Sequence, residues 1–128
     1  MSIKTDISVG EFLDKLTILQ IKQARISDLT KLININRELE VLQGLWRRSE
    51  YFNAKIADEL DELRQVNEQL WDIEDDIRDK EALGEFDSVF IELARAVYVT
   101  NDRRAKIKKT INIKLGSGIV EEKSYKDY

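Results

Sequence analysis

Apolar residues recur along this chain at steps of three and four, the spacing that lines one face of an α-helix. Val9, Phe12, Leu13, Leu16 and Leu19 form the first such stripe. Ser8 precedes it and Glu11 stands three residues later, as in a capping box, with Ile7 and Phe12 placed for a hydrophobic staple. A helix is predicted from about Val9. At about 100° per residue, Ile18 and Ile21 fall more than a right angle from the main stripe, so this helix is apolar on two sides. Ser27 and Asp28 offer the next N-cap. Leu32, Ile35, Leu39, Leu42 and Trp46 then follow with the heptad spacing of a coiled coil. The second helix is predicted to run to about residue 46, or to 50, tolerating Gly44 at about 1 kcal/mol.

The third helix carries Ile56, Leu60, Leu63, Val66, Leu70, Ile73 and Ile77 until Leu83 and Gly84 supply a stop. It spans roughly 43 Å at about 1.5 Å per residue. Phe86 and Asp87 read as staple and N-cap of a fourth helix, whose Phe90, Leu93, Ala94 and Val97 share a face, and which ends before Gly116 and Gly118. The short connection makes the last two helices an antiparallel hairpin over about residues 53–114. The predicted fold is all-α: a helical bundle built on this long hairpin, with the two N-terminal helices packed along it. Residues 1–128 form one domain in this reading, and 115–128, which lack periodicity, form a flexible or strap-like tail.

Composition narrows the chemistry. The 128 residues include no Cys, His or Pro, so thiol nucleophiles, disulfides, zinc clusters and imidazole bases are excluded. Leu, Ile, Val and Phe make about 31% of the chain, above the roughly 20% below which charged chains stay unfolded. The opening residues contain no apolar signal segment, and no apolar run approaches the roughly 18 residues of a membrane span. A cytoplasmic protein without membrane attachment is expected.

The net charge of -4 is unevenly distributed. Residues 58–81 hold 11 acids and 3 bases, whereas residues 95–114 hold 7 bases and 1 acid. In a hairpin turning near residues 82–86, these segments oppose each other, with Glu62 near Arg104 and Glu59 near Lys108. Asn101, Arg104, Lys108 and Asn112 continue the inward face of Phe90 and Val97, where a simple core would stay apolar. Glu59 and Glu62 lie on the inward side of the third helix, with Asn67 at its margin. These residues define either a register-fixing polar cluster or a small-ligand site made of Glu59, Glu62, Asn67, Asn101, Arg104 and Lys108. The ligand's identity is open. No catalytic or metal-binding residue is assigned, and no cofactor is expected. Glu68, Asp72, Asp75 and Asp79 form a separate acidic stripe facing solvent. Trp46 and Trp71 read as packing between the hairpin and the first two helices. The basic residues are dispersed among acids, and the one concentrated run, Arg103 to Lys109, faces Glu59 and Glu62 in this pairing, so nucleic-acid binding is not expected.

The stretches Val9-Gly-Glu-Phe-Leu-Asp-Lys-Leu-Thr-Ile-Leu, Leu70-Trp-Asp-Ile-Glu-Asp-Asp-Ile-Arg78 and Val97-Tyr-Val-Thr-Asn-Asp-Arg-Arg-Ala-Lys-Ile-Lys108 resemble a family of small all-helical bacterial proteins, a domain of unknown function. That resemblance implies one compact unit and lends no activity or ligand. A partial resemblance joins Asp58-Glu-Leu-Asp-Glu62 to the Glu-Glu-x-x-Glu motif of all-α nucleotide pyrophosphohydrolases, which use Mg²⁺ or Mn²⁺. Their second motif, Glu-x-x-Asp, is broken here, because Glu92-Leu-Ala-Arg95 ends in Arg. The function expected is that of a self-associating interaction or scaffold module without catalysis, as a homodimer. The alternatives are a metal-dependent pyrophosphohydrolase-like enzyme and a small polar-ligand-binding protein.

Overall fold

A computed structural model describes all 128 residues and contains four helices and no strand. They are α1 (Val9–Arg25), α2 (Leu29–Arg47), α3 (Ala57–Leu83) and α4 (Ser88–Leu115). Three begin on the side chains their sequences offer. Ser8 accepts the Glu11 N–H, Asp28 the Lys31 N–H and Asp87 the Phe90 N–H, at 3.0 to 3.1 Å. Only half of the capping box forms, because the Glu11 carboxylate turns to Lys108 instead of back to Ser8. Gly84 and Gly116 end α3 and α4 with φ of 66° and 63°, a left-handed conformation in which a β-carbon would be strained.

The fold is an all-α bundle in which α1 is the central helix. It packs against α2, α3 and α4, whereas α2 lies beside α1 and beside no other helix. This arrangement accounts for the two apolar sides of α1. Leu13, Leu16 and Leu19 are buried on one, and Ile21 on the other, without help from a second molecule. Ile35 and Leu39 of α2, Leu63 and Val66 of α3, and Ile107 and Ile111 of α4 complete the core. Trp46 packs on Phe12, with ring centroids 6.1 Å apart, joining α2 to α1.

The hairpin is longer than the helix that covers it. At about 1.5 Å per residue, α3 and α4 extend roughly 40 Å and α1 roughly 26 Å. The N-terminus of α1 sits at the open end of the hairpin, where Gly10 meets Asn112, and its last residue, Arg25, reaches Asp72. Beyond that point the tail's Tyr128 still meets Tyr98 of the hairpin. No residue between Leu70 and Thr100 is buried.

The hairpin spans 57–115, within a few residues of the expected 53–114, and its connecting residues are 84–87, so it is the expected cross-helix pairings that need correction. The later turn shifts the pairing by about three residues, nearly one helical turn. Glu59 therefore meets Lys114, at 2.6 Å, and not Lys108. Glu62 is exposed and forms no ion pair, so it does not join Arg104. The acidic and basic segments form only that one ion pair with each other, because Lys108 and Lys109 pair with α1 and the tail and Arg103 donates to the neutral Gln69 of α3.

Candidate interaction and ligand sites

Three regions of this bundle carry polar or uncovered chemistry, and the innermost is a seam between α1, α3 and α4. Gly10 lets α1 approach α4 so closely that an added β-carbon would lie 2.6 Å from the Lys108 carbonyl oxygen. At that contact the Gly10 N–H donates to Asn112 Oδ1 at 2.6 Å, using an amide that the start of a helix leaves free. One turn on, Asn67 of α3 donates to Asp14 at 2.9 Å and to the Thr17 hydroxyl at 3.0 Å. Thr17 itself donates to the Asp14 carbonyl. Lys108 points in from α4, 2.5 Å from Glu11 and 3.7 Å from Asp14, with Glu121 of the tail at 3.3 Å. Burial works against the Lys108 charge, but the Glu11 hydrogen bond and the fields of Asp14, Glu11 and Glu121 outweigh it and raise the ammonium above its ordinary pKa. Every buried side-chain nitrogen and oxygen in the molecule has a hydrogen-bond partner. The seam is closed chemistry: it fixes how three helices meet.

Of the residues singled out from sequence, Asn67 and Lys108 belong to this seam. Glu59 lies at the open end of the hairpin, where the hydrogen bond from Lys114 holds its carboxyl below the usual range. Arg104 lies one turn and Asn101 two turns before Lys108, on the half-buried flank of α4. Glu11, Asp14 and Thr17 were not anticipated. Their signal was present, since Gly10, Asp14, Thr17 and Ile21 recur at steps of four, three and four and so mark a second seam on α1.

The second region is a cavity of about 470 Å³ between α4 and the C-terminal segment. That segment folds back along α4. Glu121 reaches Lys108, Glu122 reaches Lys109 at 3.1 Å, and the Tyr128 ring meets Tyr98 edge-on with centroids 5.2 Å apart. Asn101, Arg104 and Lys108 line the cavity from α4, and Lys123, Tyr125 and Lys126 from the tail. The neighbouring Asp102 carboxylate raises the Tyr128 phenol above its ordinary range.

The third region is the outer end of the hairpin. Leu83, Phe86, Val89 and Ile91 are 47% to 70% exposed, and the inward-facing Ile73, Ile77, Phe90, Leu93 and Val97 are only half-buried. Two helices alone cannot seal an apolar seam between them. The turn itself is held electrostatically: Lys80 binds Glu85 at 2.8 Å and Asp87 at 2.9 Å, while the Phe86 and Phe90 rings meet edge-on. Farther down α3, Arg25 clasps Glu68 and Asp72 of the solvent-facing acidic stripe.

Glu11, Asp14 and Glu121 gather on the Lys108 ammonium, and no three carboxylates form a group that could hold a metal ion. No helix is long and apolar enough to cross a membrane. Fold and sites together define a small all-α protein with a projecting hairpin. The chain belongs to DUF6165, a family of unknown function, whose model matches residues 3–128. No curated protein and no solved structure matches it.

Proposed function

We propose that this protein is a self-associating interaction module with no catalytic role, in which the outer end of the α3–α4 hairpin docks on a second copy. The observation that carries the reading is the absence of any buried residue between Leu70 and Thr100, in a segment rich in large apolar side chains. Contiguous exposed apolar surface of this kind marks contact sites in folded proteins.

Charge selects the arrangement. Residues 71–94 carry nine acids and two bases, a net of -7, and residues 95–114 carry a net of +6. Two copies joined end to end at their hairpin turns would set like charges together. An antiparallel pair instead lays the acidic outer end of each hairpin on the basic half of α4 in the other copy, where Ile113, 68% exposed, stands between Lys109 and Lys114. Such a pair closes on itself with two-fold symmetry, the commonest form of oligomer, and supplies the coiled-coil packing that the hairpin lacks. The double variant Phe86→Glu with Ile91→Glu, both on exposed positions, tests this in sedimentation velocity. The wild-type chain is expected to sediment as a dimer and the variant as a monomer of unchanged helicity. A variant that remains dimeric would remove the hairpin end from the interface.

A further inference from the structure

The cavity between α4 and the tail has a charge balance that the self-association reading leaves unused. Four cations line it, Arg104, Lys108, Lys123 and Lys126, against one acid, Asp102. Two of the four are already committed, Lys108 to Glu11, Asp14 and Glu121, and Lys123 to Glu121 at 3.0 Å. Arg104 and Lys126 have no carboxylate within ion-pair distance. Arg104 is also half-buried, and it lines the cavity without an ion-pair partner. A planar fork of N–H donors beside an ammonium suits the oxygens of a phosphate monoester, which carries about -1.5 to -2 charge at neutral pH. Tyr98, Tyr125 and Tyr128 supply aromatic surface on the same cavity, and about 470 Å³ lies within the roughly 300 to 1,000 Å³ of small-molecule pockets.

We propose that this cavity binds a small organic phosphate with a planar ring: Arg104 and Lys126 take the phosphate, and the tyrosines pack against the ring. Because the tail forms one wall, binding also fastens the tail to α4. The cavity lies on the basic half of α4 that the antiparallel pair would use, so the titration is run on the wild-type chain and on the monomeric Phe86→Glu, Ile91→Glu variant, in which no partner can cover it.

Calorimetric titration of the full chain with uridine 5′-monophosphate, uridine and inorganic phosphate separates the contributions. The monophosphate is expected to bind with submillimolar affinity, and both fragments at least about tenfold more weakly, a difference of about 1.4 kcal/mol. Arg104→Gln and Lys126→Gln are each expected to weaken the monophosphate at least about tenfold with unchanged helicity, whereas Lys31→Gln on α2 leaves it unaltered. Lys126 lies in the tail, so its variant tests the site even if Arg104→Gln disturbs folding. Failure of the monophosphate to bind, equal binding of uridine or inorganic phosphate, or full affinity in both site variants would each overturn the assignment.

Discussion

Gly10 sets the distance between α1 and α4. Its missing β-carbon leaves room for the Lys108 carbonyl, a rigid backbone atom that cannot move aside as a side chain would. Gly10→Ala is therefore expected to destabilise the fold by about 1 to 3 kcal/mol, the usual cost of forcing extra volume into a packed contact. Chemical denaturation checks it; a variant as stable as the wild type would show that the two helices can separate freely. Asn67 acts at the same seam. Replacing it with Leu removes both donors from Asp14 and Thr17, leaves a buried carboxylate with one partner fewer, and is expected to cost about 1 to 3 kcal/mol in the same measurement. The role of Gly10 was not read from the sequence, and Asn67 was placed in a polar cluster between α3 and α4, without its partners on α1. The 4-3-4 recurrence of Gly10, Asp14, Thr17 and Ile21 is visible in the sequence, but polar and small residues at seam positions look like solvent-facing ones until the neighbouring helices are known.

At the level of elements, the four helices were almost fully legible. Ser8, Asp28 and Asp87 cap where their spacing says they should, and Gly84 and Gly116 terminate where apolar periodicity ends. What was not legible was register. A hairpin turn placed a few residues early sends every cross-helix pair to the wrong partner, and that is why Glu59 was assigned to Lys108 when it binds Lys114. Asn101, Arg104 and Lys108 do share one cavity, because residues on one face of one helix need no register to be brought together. The turn between α3 and α4 also has a pH signature. Lys80 and the Phe90 N–H hold the Asp87 carboxyl below its ordinary pKa. A depressed carboxylate contributes stability that is present above its unfolded pKa and lost as pH falls through the folded one. Thermal stability is expected to fall on acidification below about pH 4, the ordinary aspartate value. Asp87→Asn keeps the cap but not the charge and should show a shallower acid loss. An identical profile in wild type and variant would mean that the turn's ion pairs contribute nothing measurable.

For the whole molecule, the uneven charge is its most informative property. Read from sequence alone, the acidic and basic segments looked like two sides of one internal pairing. The fold shows otherwise: α4 spends Lys108 and Lys109 on α1 and the tail, while Asp75, Asp76, Asp79 and Glu81 remain on the exposed hairpin end. On α1 the second apolar side is partly covered within the chain, with Ile21 buried and Ile18 half-buried. Self-association now rests on different ground, the uncovered hairpin end and its charge. Multi-angle light scattering at micromolar concentration and varied salt tests it most directly. An antiparallel pair held partly by opposite charges should show twice the chain mass of 15.0 kDa at low salt. It should weaken toward about 1 M salt, where the screening length falls to about 3 Å. A mass of 15.0 kDa at every salt concentration, or a dimer that tightens as salt rises, would contradict antiparallel self-association.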